Sequence, residues 1–347
     1  MTQSQDSAVR ELAGRVAAGD TRALARAISL VENDAPEAQA LLSACFPHTG
    51  CALRIGITGS PGAGKSTLVD ALARAWRGAG KTVGVLAVDP TSPFTGGAIL
   101  GDRIRMQDRA GDNGLYIRSM ATRGALGGLA RNTADVIQIL EASGKDVVLI
   151  ETVGVGQDEI DIVRLADITV VVLVPGMGDD VQSIKAGIME IADIFVVNKS
   201  DREGADRVEK EIRAMQSLAT THAPRVPPIV RTIATGNTGI ADLVAAIDDT
   251  HRWLASEGRA EARRVEYWSR RIEEMVRYAL LREASLHGLT AEMVAHHARL
   301  AVAREEDPYR LVPELVGKIF AERRSQRDEA GKSISVENTT DEKIKET

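Results

Sequence analysis

Aromatic side chains make up only 3% of the 347 residues. That is too few for a protein that grips single-stranded nucleic acid by stacking bases on rings. Basic residues are outnumbered, 43 against 49 acidic, for a formal net charge of -6, the wrong sign for a surface that binds by neutralising phosphates. There are two cysteines, Cys45 and Cys51. They have no metal-ligand spacing and cannot build a disulfide framework, so reduced thiols are expected. No apolar run approaches the ~20 residues of a bilayer span. The first residues are polar and carry Asp6 and Glu11. They lack the apolar stretch of a secretory signal and are too acidic for a mitochondrial transit peptide. The expectation is a cytoplasmic protein with no nucleic-acid or membrane partner. The apolar content of 44% is ordinary, and the chain is long enough to bury a sizeable core.

Hydrophobic periodicity divides the chain. Residues 8 to about 46 have helical spacing, with Val9, Leu12 and Val16 in one run, Leu24, Ala27, Ile28 and Leu30 in a second, and Asp20 placed as an N-cap between them. From Leu53 short apolar runs take over: Leu53–Thr58, Thr82–Val88, Gly114–Arg118, Val147–Ile150, Ile168–Val174, Ile194–Val197 and Ile229–Ala234. Most are rich in Val, Ile and Leu without alternation, as in parallel strands buried on both faces. Strands alternating with helices predict an α/β fold, a doubly wound and mainly parallel sheet. Beyond Gly258 the pattern is helical again: 259–286 with an apolar stripe from Val265 to Leu280, then Thr290 to about Ala303, then Tyr309 to about Arg324. The reading is an N-terminal helical extension over 1–50, a nucleotide-binding domain over 51–257, a C-terminal helical arm over 258–324 and a disordered polar tail over 325–347. The arm's stripe needs a partner surface, from its own domain or from a second subunit.

Gly59-Ser60-Pro61-Gly62-Ala63-Gly64-Lys65-Ser66 fits GxxxxGKS, between a strand ending at Thr58 and a helix opening at Thr67. Glycines let backbone N–H groups curl around phosphate oxygens, and the helix start adds its dipole. Lys65 is expected to reach the β- and γ-phosphates, and the Ser66 hydroxyl to bind Mg²⁺. The context makes this a P-loop rather than a glycine-rich turn with a chance lysine.

Asn198-Lys199-Ser200-Asp201 follows the strand Ile194–Val197. The Asp201 carboxylate can accept from the guanine ring N–H and exocyclic amine, a donor pair adenine lacks, so GTP is expected over ATP. Ala234, before the turn Gly236–Gly239, is positioned like a backbone donor to the guanine carbonyl. Asp89 and Glu151 end two other apolar runs, and carboxylates there face the ligand crevice of a parallel sheet. Asp89, Asp102 and Glu151 are the metal candidates, although Asp102 could instead pair with Arg103 or Arg105. Glu151-Thr152-Val153-Gly154 occupies the place of a DxxG, whose glycine N–H senses the γ-phosphate. The loose segments Gly96–Asp102 and Val155–Gln157 suit loops that reorder with nucleotide state. The residue after Gly154 is Val155, where many GTPases place a water-orienting glutamine. Gln157 lies two residues on. Slow intrinsic hydrolysis, accelerated by a partner, is the expectation.

The series Gly59–Ser66, Val88–Gly97, Gly101–Met106, Glu151–Gln157, Met189–Asp193 and Asn198–Asp201 resembles the methylmalonyl-CoA mutase-associated GTPases, also known as arginine/ornithine transport ATPases. They form part of the signal-recognition and metallochaperone class. The resemblance spans about residues 10 to 323. It implies a GTPase chaperone of an adenosylcobalamin-dependent acyl-CoA mutase that gates cofactor delivery and protects or reactivates the mutase. It also implies a homodimer formed through the C-terminal helices. By matching position, Lys65, Asp89, Asp102 and Glu151 serve phosphate and metal. Pro175–Asp180 and the helix start through Lys185 match a third switch loop, with Lys185 among the catalytic candidates. Met177 and Ser200 stand where the family often has alanine, and the base readers Asn198, Lys199 and Asp201 are kept. There is no DxHxxG cobalamin-ligating motif, so direct cobalamin binding is not expected.

Three other functions were weighed. Nickel delivery would call for a histidine-rich or Cys-x-x-Cys tract, but only His296 and His297 of six histidines are adjacent. A kinase of a transport protein would ordinarily use ATP, against Asp201. Signal-recognition targeting would call for a methionine-rich domain, and the C-terminal helices hold only Met275 and Met293. Which acyl-CoA mutase is served is left open by the sequence.

Overall fold

The computed structural model describes residues 3–89, 112–121, 128–152, 165–176, 191–219 and 225–318. Three helices come first: α1 (Gln3–Ala17), α2 (Thr21–Glu32) and α3 (Ala38–Cys45). Asp20 caps α2 as its position predicts, accepting from the N–H groups of Arg22 (2.8 Å) and Ala23 (3.1 Å). Such a cap satisfies amides that the first helical turn leaves without partners.

Among the described residues seven strands follow: β1 (Leu53–Gly59), β2 (Val83–Asp89), β3 (Leu115–Ala121), β4 (Val147–Thr152), β5 (Ile168–Leu173), β6 (Ile194–Asn198) and β7 (Ile229–Thr232). They form one sheet in the order β3-β2-β4-β1-β5-β6-β7, and every pairing is parallel. Among the described residues the helices between them are α4 (Lys65–Gly78), α5 (Gly128–Ala142) and α6 (Ala205–Ala219), and α7 (Ile240–Ala255) follows β7. β1, β4, β5 and β6 are buried along their whole length, which explains their continuous apolar runs. The last strand ends at Thr232 rather than Ala234, because Ala234 opens a one-turn 3-10 helix.

Side chains alternate between the two faces of the sheet. On one face Val148 and Ile150 of β4 join a core with α5 and α1–α3, so the N-terminal extension packs into the same hydrophobic body. Glu32 of α2 also pairs with Arg118 on the edge strand β3. On the other face Val147 and Leu149 pack with α4 and α7. A smaller cluster joins β5 and β6 to α6.

Two compact units divide the chain, residues 1–267 and 268–347. The boundary falls within helix α8 (Arg259–Leu286). In the second unit α8 is followed by α9 (Ala291–Val302), capped by Thr290, and by a helix over 308–318. His297 of α9 is hydrogen-bonded to Glu306 at 2.6 Å. Ile272, Met275, Val276 and Leu280 of α8 are exposed apolar residues at helical spacing. No helix among the described residues is long and apolar enough to cross a membrane.

Candidate nucleotide-binding site

β1 runs directly into the glycine-rich loop, and α4 begins at Lys65. Two glycines have no substitute. Gly59 has φ +141°, and a Cβ there would lie 2.1 Å from the Val172 carbonyl oxygen. Gly64 has φ +86°, and its Cβ would lie 2.6 Å from Asn198 Nδ2. Only glycine combines this backbone with so close an approach. The Lys65 ammonium is buried over the loop and donates to the carbonyls of Gly59 (2.5 Å) and Ser60 (3.0 Å).

The Asn198 turn is tied to this loop from across the sheet. Asn198 Nδ2 donates to the Ala63 carbonyl at 2.8 Å. Its Oδ1 accepts from the Thr232 hydroxyl at 3.0 Å and from the Ala234 N–H at 3.2 Å. Lys199 has a left-handed backbone, φ +53°, uncommon for a residue with a side chain. Its ammonium donates to the Gly62 carbonyl at 2.8 Å. Ser200 N–H donates to the Thr232 carbonyl, and Asp201 stands exposed at the rim. The amide of Ala234 thus points at Asn198, which supports the turn from behind.

Glu151 ends β4 beside β1, in register with Ile57. Its Oε1 accepts from the Ser66 hydroxyl at 2.5 Å, so two of the sequence-derived metal candidates meet. Asp89 closes β2, with its backbone paired to Ala121, and its side chain lies outside the described residues. Asp102, Gly154 and Lys185, the loops around them and the tail 325–347 are also outside them. Thr67 sits in the first turn of α4. Thr58, Thr152 and Thr232 were not singled out by sequence reading. Their one visible signal is a hydroxyl at the end of an otherwise apolar strand.

A second set of buried charges lies at the amino ends of the strands. Arg54 donates to Asp167 through Nη2 (2.6 Å) and Nε (3.1 Å) and lies over the Tyr267 ring. Nearby Glu141 is pushed up to about 7, by burial first, with Arg54 opposing and Asp167 adding to the rise. Perturbed groups often mark function, but ligands of open parallel sheets bind at the carboxyl ends of the strands. This set is therefore a structural ion-pair network.

The glycine loop, the buried lysine and the Asn198 turn are joined by hydrogen bonds into one surface at the carboxyl ends of the strands. Comparisons with known proteins give the family. Residues 24–288 match the family model of the methylmalonyl-CoA mutase-associated GTPase MeaB. A Pyrococcus abyssi protein named as a GTPase is 53% identical over 272 residues, 78% of this chain and 83% of its own length. GTPase ArgK of Escherichia coli is 38% identical over 283 residues, 78% of this chain and 86% of its own. The crystal structure of a LAO/AO transport system kinase superposes with a TM-score of 0.67 at 27% identity, covering 92% of this chain and 99% of that one. The chain belongs to the MeaB and ArgK family of methylmalonyl-CoA mutase-associated GTPases.

Proposed function

We propose that this chain hydrolyses GTP with Mg²⁺ as a chaperone of an adenosylcobalamin-dependent acyl-CoA mutase, gating cofactor loading and protecting or reactivating the mutase. The observation that carries the nucleotide reading is Asn198, held at both ends between the Ala63 carbonyl and the Ala234 amide. It ties the turn bearing Asp201 to the phosphate loop, which supports base recognition and phosphate binding on one frame. The family description supports the mutase role.

The residues divide the work by position. Backbone N–H groups of Gly59 to Thr67 wrap the phosphates, and Lys65 exchanges its loop carbonyls for β- and γ-phosphate oxygens. Asp201 reads the guanine, and Ala234, whose N–H donates to Asn198 Oδ1 at 3.2 Å, supports the base-reading turn. The Ser66 hydroxyl and Glu151 carboxylate, 2.5 Å apart beside the loop, make an all-oxygen donor set that fits Mg²⁺. Asp89 and Asp102 complete it. When bound, the ion neutralises charge on the β- and γ-phosphate oxygens. Gly154 senses the γ-phosphate and Lys185 belongs to the third switch loop. Hydrolysis joins a water oxygen to the γ-phosphorus and breaks its bond to the β–γ bridging oxygen, leaving GDP and phosphate. With Val155 after Gly154, the chain alone is slow.

The chain works as a cytoplasmic homodimer joined by the arm 258–324, without binding cobalamin itself. The exposed stripe Ile272, Met275, Val276 and Leu280 supports this, since such a stripe costs free energy in water. Residues 1–50 are the N-terminal extension and 51–257 the nucleotide domain.

The test measures GTP and ATP turnover with and without methylmalonyl-CoA mutase, with light scattering on the same samples. Slow GTP turnover that rises with the mutase, in a particle of twice the chain mass, is expected. Equal use of ATP rejects the Asp201 reading. An unresponsive rate rejects this mutase as client, and a monomer rejects the dimer.

A further inference from the structure

β1 has β4 on one side and β5 on the other, and the two ladders end at different heights. With β5 the register runs to Gly59↔Val172. With β4 it stops at Ile57↔Glu151. One residue further, the Thr152 hydroxyl donates to the Thr58 hydroxyl at 3.1 Å, with the Ile57 carbonyl oxygen at 3.5 Å. Both threonines are 1% exposed. A side-chain bond therefore takes over where the backbone ladder between these strands ends.

Strand alternation puts Glu151 and Thr152 on opposite faces of the sheet. Glu151 reaches Ser66 on the α4 face. Thr152 reaches Thr58 on the face shared with α5. Besides its backbone ladder to β2, which runs to Val88↔Thr152, the end of β4 is thus pinned by two side-chain bonds, one to the helix after the phosphate loop and one to the strand before it. Thr58 precedes Gly59, which the ladder with β5 holds opposite Val172. The hydroxyl pair therefore refers the Glu151 carboxylate to a fixed point of the loop.

We infer that Thr152, acting through Thr58, is a positioning residue for the Ser66–Glu151 metal set. The inference rests on the metal reading given above. Thr152 touches neither phosphate nor ion. It holds the backbone that carries Glu151 at the height where the carboxylate meets Ser66.

Thr152→Val removes the hydroxyl at nearly constant shape, and Thr152→Ser keeps it. Binding of a fluorescent GDP analogue is titrated with Mg²⁺ and repeated in EDTA. Loss of one buried hydrogen bond of ordinary strength predicts an about tenfold rise in the Mg²⁺ concentration at half-saturation. Affinity in EDTA is expected to be unchanged, and Thr152→Ser is expected to lie within about twofold of the parent, a small fraction of that bond. Thr152→Val also strands the Thr58 hydroxyl, a cost that removing both hydroxyls can relieve. The double variant Thr58→Val/Thr152→Val is therefore expected to recover thermal stability but not Mg²⁺ affinity. Recovery of both together overturns the inference, leaving a purely structural bond. Ser66→Ala separates the two claims. If it shifts the Mg²⁺ titration while Thr152→Val does not, the positioning role alone fails. If neither shifts it, the metal reading fails as well.

Discussion

The two ends of the parallel sheet satisfy their polar groups in opposite ways. At the carboxyl ends, Lys65, Asn198 and Lys199 bond to backbone carbonyls of the phosphate loop. At the amino ends, Arg54, Asp167 and Glu141 answer one another as charges. Backbone carbonyls are weak partners for an ammonium, and a phosphate oxygen displaces them readily. The half-buried Asp167 carboxylate satisfies the buried Arg54 guanidinium in place, and losing the carboxylate leaves an uncompensated charge. The first arrangement suits a site that must accept a ligand. The second suits a joint that must not open. Arg263, at the start of α8, extends this joint by donating to the Asp167 carbonyl (2.8 Å) and to the Asp193 carboxylate (2.7 Å).

Three variants sharpen that contrast. Lys65→Ala is expected to lower GTP turnover by about 10²- to 10³-fold, the loss typical of removing one preorganised charge contact. Its urea unfolding is expected to stay close to that of the parent. Unfolding as severe as that of a joint variant would erase the distinction. Asp167→Ala should do the reverse. It strands the Arg54 guanidinium and is expected to cost about 3 kcal/mol in urea unfolding, with nucleotide affinity unchanged. A wild-type unfolding curve would reject the joint.

The smallest effect is one of pH. Burial raises Glu141 to about 7 in the folded chain, above its ordinary 4.5. The folded state therefore holds the proton more tightly than the unfolded chain. Its contribution to stability is full below the ordinary value and is lost as pH rises through the folded one. The slope is at most about 1.4 kcal/mol per pH unit. Glu141→Gln is expected to flatten stability between those two values, measured by urea unfolding across that range. An unchanged slope would assign the titration to another group.

Contiguous chemistry was legible without coordinates. The GxxxxGKS stretch, the Asn198–Asp201 turn and the strand runs each lie within a few residues, where spacing alone carries the signal. Strand bounds moved by one to three residues, as at β3, which runs on to Ala121, and at Ala234, where a 3-10 turn replaces the end of β7. The threonines were not legible. A hydroxyl ending a buried strand reads the same whether it faces a neighbour or nothing, and Thr58 and Thr152 are 94 positions apart. The amino-end joint was hidden for the same reason, because Arg54 and Asp167 meet across 113 positions.

By itself the sequence determined the sheet, its helices and the chemistry that binds a nucleotide, because backbone geometry and hydrophobic periodicity act locally. Only the tertiary structure decided which carbonyls Lys65 and Asn198 hold, that Ser66 meets Glu151, and which buried charges brace the fold instead of serving the ligand. Those choices depend on strand order and register, which bring together residues that no local spacing relates.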